Sequence, residues 1–186
     1  MVEVRFHGRG GQGAVTSCEL LSSAIIEEGQ YAQGFASFGP ERRGAPVLAF
    51  VRAGEEGRKL RQQIYRPDIV VVLDASLLRI VDVTTGLKEG GWLVLNTQRP
   101  LQEMQSKIAL PIRLAVVDAT AVSNQVLRIP IVSVSILGAV VRATEIVHLK
   151  SFEKPILKRF GTVLARRNSE ALMHAYRNTS IAREAV

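Results

Sequence analysis

The chain has 186 residues, 47% of them hydrophobic, with one cysteine and a formal net charge of +7. That length suits one domain with its own core, and no run approaches the roughly 18 apolar residues of a membrane span. The start, Met1-Val2-Glu3-Val4-Arg5, lacks a charged-then-apolar leader, and a lone thiol builds no internal disulfide, iron–sulfur cluster or zinc site. A single cytoplasmic domain over 1–186 with no membrane contact is expected.

Residues 2–7 alternate like a short strand and run into Gly8-Arg9-Gly10-Gly11-Gln12-Gly13. Ala14, Val15, Cys18, Leu20, Leu21, Ala24 and Ile25 then mark an apolar helical face, predicting a helix over 11–28 with Cys18 in its core. Strand, glycine loop and helix together aim backbone N–H groups at an anion, and glycines let the backbone approach it closely. The stretch fits G-x-G-x-x-G as Gly8, Gly10 and Gly13. Alone, that fingerprint also describes a tight turn that binds nothing. A dinucleotide fold needs an acidic residue at the end of the next strand to hold the ribose. Here 31–38 ends in Ser37-Phe38-Gly39-Pro40, followed by Glu41, Arg42 and Arg43, so NAD is poorly supported. Arginines there suit a phosphorylated ligand, because guanidinium pairs bidentately with phosphate. His7, at the strand end, reads as a hydrogen-bonded structural residue.

Further strands are predicted over 31–38, 46–52, 69–73, 92–96 and 112–117. The run Ile69-Val70-Val71-Val72-Leu73 is continuously apolar, as in a strand buried on both faces. Helices are predicted over 76–84, 119–127 and 134–148. Another covers 152–164, with Phe152, Ile156, Leu157, Phe160 and Leu164 on one stripe, and a last one, capped by Asn168, runs to 177. The alternation predicts an α/β, Rossmann-like, three-layer domain. Its sheet is mostly parallel, mixed if the pair flanking residue 40 is antiparallel, with helices on both faces.

In such sheets ligands bind beyond the carboxyl ends of the strands. That edge should receive the 8–13 loop, Asp74-Ala75-Ser76, Asn96-Thr97 and Asp118-Ala119-Thr120. Asp74, Ser76 and Asp118 equally suit helix N-capping. Charge is uneven: residues 1–100 hold 12 Lys/Arg against 11 Asp/Glu, and residues 101–186 hold 12 against 6. Without a recognition motif, that excess reads as a solvated helix face or a contact with an acidic partner rather than specific nucleic-acid binding.

The glycine loop, Tyr31-Ala32-Gln33 and Phe38-Gly39-Pro40-Glu41-Arg42-Arg43-Gly44-Ala45-Pro46 together resemble the gamma subunit of 2-oxoacid:ferredoxin oxidoreductases. Arg66-Pro67-Asp68, Val117-Asp118-Ala119-Thr120 and Ile129-Pro130-Ile131-Val132 leading into Leu137-Gly138-Ala139 agree with it, so the resemblance spans residues 2 to about 175. The chain departs where Ser133 and Val134 replace the asparagine and threonine frequent in the family. The resemblance implies oxidative decarboxylation of a 2-oxoacid with coenzyme A, giving acyl-CoA, CO2 and electrons for ferredoxin. It implies that thiamine diphosphate, magnesium and iron–sulfur clusters reside in alpha, beta and ferredoxin-like delta partners, and that this chain is inert alone. It also implies a surface facing coenzyme A, with candidate contacts at Gly8, Arg9, Gly10, Gly11, Gln12, Gly13, Arg42 and Arg43. Glu41-Arg42-Arg43 equally suits an intersubunit network, and the isolated chain suits a homodimer. A stand-alone NADP-binding Rossmann dehydrogenase is the competing reading, though no catalytic Tyr/Lys or His/Asp arrangement accompanies it.

Overall fold

The structure, a computed structural model, describes residues 1–37, 45–54, 62–108 and 110–182. Its strands are β1 (Val2–Arg9), β2 (Tyr31–Ser37), β3 (Pro46–Gly54), β4 (Ile69–Val72), β5 (Trp92–Asn96), β6 (Arg113–Val117) and β7 (Ser180–Ala182). Its helices are α1 (Ala14–Glu27), α2 (Leu101–Lys107), α3 (Ala119–Leu127), α4 (Ser135–Thr144) and α5 (Glu153–Asn178). One seven-stranded sheet has the order β2-β3-β1-β4-β5-β6-β7. The neighbours β1, β4, β5 and β6 run parallel, whereas β2–β3, β3–β1 and β6–β7 are antiparallel. The sheet is therefore mixed, with a parallel centre.

Strand alternation divides the core. Val4, Phe6, Ile69, Val71, Val94, Ala115 and Val117 face α1, α3, α4 and α5. Val70, Val72, Leu93, Leu95, Leu114 and Val116 face α2 and a 3₁₀ turn over Ala75–Arg79. The central strands are apolar throughout because both faces are covered. Gly138 lets α4 lie flat on α5, since a Cβ there would stand 2.1 Å from the Leu172 carbonyl oxygen.

Several boundaries differ from the sequence reading. α1 starts at Ala14 rather than 11, because Gly11 and Gly13 take φ of +91° and +89°. The predicted helix 76–84 is only the 3₁₀ turn, and α4 stops at Thr144 because Glu145 turns left-handed at φ 53°. The last two predicted helices are one element, kinked at Gly161 (φ 70°, ψ 170°). Asn168 caps nothing: it is buried within α5, and its Nδ2 donates to the Leu164 carbonyl at 2.9 Å. α2 and β7 are additional. α2 carries only Leu101 and Met104 as apolar anchors, with Ile108 just past its end, and β7 has three residues, too few for a period.

Beside β3, the second face of β1 is polar. The buried Arg5 guanidinium donates to the carbonyls of Val83 (3.0 Å) and Thr85 (2.7 Å), and its Nε donates to His7 Nε2 at 3.0 Å. Arg5 thus ties the chain after the 3₁₀ turn to the sheet, and His7 has the structural role its position suggests. Burial, reinforced by the adjacent Arg5 charge, lowers the His7 pKa from 6.5 to about 4. Unfolded His7 takes up a proton near pH 6.5 and folded His7 only near 4, so this contribution is full above pH 6.5 and is lost as pH falls toward 4. Denaturant unfolding should register a loss of about 3 kcal/mol across that window. His7→Gln should flatten the profile there; an unchanged profile would assign the acid sensitivity to other groups.

Candidate functional site

The sheet reverses its winding between β1 and β4. From β1 the chain crosses to β2 and β3 on one side, then returns to β4 on the other. The crevice beyond such a switch point is where doubly wound sheets place ligands. Here protein side chains bridge it. Arg9 Nε and Gln12 Nε2 both donate to Asp74 Oδ2 at 3.0 Å, and Arg9 Nη2 donates to Ser76 Oγ at 2.9 Å. Gln12 Oε1 accepts from the Arg9 backbone N–H at 2.8 Å, closing the ring. Asp74 Oδ1 also caps the 3₁₀ turn through the Ser76 N–H at 2.9 Å. Burial would raise the Asp74 pKa, but the donors from Ser76, Gln12 and Arg9 outweigh it and hold the carboxyl below its ordinary value.

The glycine loop divides its amides. The Gly10 N–H donates to the Ala45 carbonyl and the Gln12 N–H to the Arg9 carbonyl, each at 3.1 Å, so neither points at a ligand. Gly8 lies within β1, where a Cβ would stand 3.1 Å from that of Ala14; its smallness lets α1 lie close to the strand. Gly13 is the N-cap of α1, left-handed and without a side-chain cap. A Cβ at Gly13 would stand 2.6 Å from the Ser133 Cβ, and Ser17 Oγ donates to the Ser133 carbonyl at 2.8 Å. Residue 133, where the chain departs from the family pattern, therefore packs directly against the loop. Arg42 and Arg43 lie outside the described residues.

Next to the bridge, a groove of about 430 Å3 runs along the ends of β4, β5 and β6. Gln12, Asp74, Ser76, Asn96, Thr97, Asp118 and Thr120 line it, as the sheet-edge reading expects, joined by Gln98 and Arg99. The unbroken polar run Asn96-Thr97-Gln98-Arg99 after an apolar strand was the available signal for the last two. Asn96 organises the floor: its Nδ2 donates to the Leu73 carbonyl at 2.8 Å and Thr120 Oγ1 at 2.9 Å. Asp118 caps α3 through the Ala121 N–H at 2.7 Å. Such a groove offers hydrogen bonds and mixed charge. Among the described residues no three His, Cys, Asp or Glu side chains converge as a metal site. Cys18 is buried, its Sγ donates to the Phe50 carbonyl at 3.0 Å, and burial pushes its pKa up to about 12.

Fold and site define a class: an α/β domain of Rossmann type whose switch point is closed by its own side chains and whose polar groove lies beside it. Residues 3–178 match the family described as pyruvate ferredoxin/flavodoxin oxidoreductase. The common gamma subunit of pyruvate/ketoisovalerate oxidoreductases from Thermococcus litoralis is 49% identical, over 97% of this chain and 98% of that one. Pyruvate synthase subunit PorC of Methanothermobacter marburgensis is 46% identical, over 95% and 96%. The crystal structure of pyruvate oxidoreductase subunit PORC from Thermotoga maritima superposes with a TM-score of 0.86 at 37% identity, covering 97% and 98% of the two chains. This chain belongs to that family, as a gamma-type member, and the reading as a stand-alone NADP dehydrogenase is not favoured.

The two left-handed glycines should separate on substitution. Gly13→Ala combines positive φ with a clash and should cost about 2–4 kcal/mol. Gly11→Ala has open space around its Cβ and should cost about 1 kcal/mol. Chemical denaturation of both variants checks the order, and equal losses would contradict the Gly13–Ser133 packing.

Proposed function

We propose that this chain is the gamma subunit of a cytoplasmic, multi-subunit enzyme that oxidatively decarboxylates a 2-oxoacid to acyl-CoA and CO2, passing electrons to ferredoxin. One observation carries the reading: the end-to-end kinship with gamma subunits, in which neither chain has a large unmatched part. The alpha, beta and ferredoxin-like delta subunits are its partners in this reading. No helix among the described residues is long and apolar enough to cross a membrane.

Thiamine diphosphate with magnesium and the iron–sulfur clusters belong to those partners. The donor chemistry supports that division, since a single buried thiol with a pKa near 12 does not fit a cluster that needs several thiolates. No step of the redox chemistry is assigned to this chain. Its part is to bind and orient, and we assign it a coenzyme A-facing surface at the carboxyl edge of the parallel strands. Support comes from the uncapped start of α1 and from Gln12, which lines the groove, and Arg9, both of which are held by Asp74 in the groove wall. Helix starts favour anions such as the phosphates of coenzyme A, and Arg9, Arg42 and Arg43 supply cationic partners in this reading.

The first test is a tagged pull-down under anaerobic conditions. Larger subunits with iron–sulfur absorbance should co-elute and reduce a viologen dye when given a 2-oxoacid and coenzyme A; elution of the chain alone without activity would sink the reading. Within an active complex, Arg9→Ala should raise the KM for coenzyme A about tenfold with kcat little changed, as expected when uniform binding is lost. Loss of assembly instead would make Arg9 part of the scaffold only.

A further inference from the structure

Helix α5 exposes a surface that its own chain leaves unused. From 157 to 167 no residue is buried, on either side of the kink at Gly161. Leu157, Val163 and Leu164 are 47%, 86% and 50% exposed, with Phe160 half-buried among them. Leu157 lies before the kink at Gly161 and Val163 and Leu164 after it, so exposed apolar side chains flank the bend, while Phe160 packs against the core. Clustered apolar exposure of this kind marks an interaction surface.

Charge narrows the occupant. Residues 154–169 hold five cations, Lys154, Lys158, Arg159, Arg166 and Arg167, and no carboxylate. Glu27 engages Lys154 at 2.7 Å, and Arg159 reaches Thr16 Oγ1 at 3.5 Å. Lys158, Arg166 and Arg167 meet no carboxylate among the described residues. A second copy would bring the same cations to a self-complementary interface, where like charges oppose. An apolar centre with a basic rim instead complements an acidic amphipathic element. The seam also reaches α1, where Arg159 touches its first turn through Thr16 Oγ1.

We propose that this seam receives an acidic amphipathic segment of a partner subunit, its apolar side chains on Leu157, Val163 and Leu164 and its carboxylates on Lys158, Arg166 and Arg167. The proposal rests on the gamma-subunit reading.

Two variants of the full chain test it: Val163→Glu with Leu164→Glu, and Arg166→Glu with Arg167→Glu. Each is co-expressed with the partner subunits, and complex dissociation is followed by mass photometry across a salt series. Wild type should assemble, and each variant should dissociate at least about tenfold more readily. The difference for the arginine variant should shrink at high salt. The arginine side chains are exposed, so that variant keeps the test valid if the other misfolds. Two variants assembling like wild type would overturn the proposal while leaving the gamma reading intact, whereas failure of wild type to assemble would overturn both. A Val163-dependent homodimer, or binding to equimolar phosphatidylglycerol/phosphatidylcholine vesicles with assembly unaffected, would overturn the acidic-partner assignment.

Discussion

Everything at the carboxyl edge of the sheet depends on one carboxylate. Asp74 holds Arg9 and Gln12 from the loop after β1 and caps the turn after β4, so it joins the two strands between which the winding reverses. A parallel sheet that splays at its switch point normally leaves room there for a phosphate-bearing ligand. Here the room is taken by a charge-assisted ring of hydrogen bonds, and the open groove shifts toward the ends of β5 and β6. The glycine fingerprint survives, yet two of its amides are satisfied within the protein. That displacement separates this domain from a dinucleotide-binding one more clearly than any missing acidic residue.

A second constraint lies one layer in. The 3₁₀ segment and the chain after it pack Leu77, Val81 and Val83 on the core, and Arg5 fixes them further by donating to the Val83 and Thr85 carbonyls. Burying a guanidinium without a touching carboxylate is costly, and the burial holds the Arg5 pKa below its usual value despite the attraction of Asp82. The compensation is geometric. A planar fork with five donors fits several carbonyls at once, which no lysine could do.

The parallel centre was legible because Ile69–Val72 and Trp92–Asn96 read the same in any context: apolar, β-branched and bounded by turns. The polar residues after those strands followed directly, since strand direction alone puts them on one edge. The Arg9–Asp74 pairing was not legible, because the residues are 65 apart and either side chain is equally at home in solvent. The stripe on α5 was read as one buried face. Phe152 and Ile156 are buried, but Leu157 already turns off their face, and Gly161 then resets the helix phase, so that Leu164 is exposed and burial passes to Asn168, Ala171, Leu172 and Ala175. A glycine inside a helical pattern announces a break without saying which way the next face will turn. The Asn168 reading failed for the same reason: a residue that commonly starts helices sat inside one.

Cys18 was legible as core, and its setting has a chemical consequence. Burial holds this thiol in its protonated form, and its sulfur is enclosed between α1 and the sheet. Thioesters exchange with thiolates far faster than with thiols. A subunit stationed beside acyl-CoA would, with an open cysteine, become a stray acceptor for the acyl group and drain product into a dead-end adduct. Enclosing the only sulfhydryl of the chain leaves its surface without a thiol that could take up an acyl group.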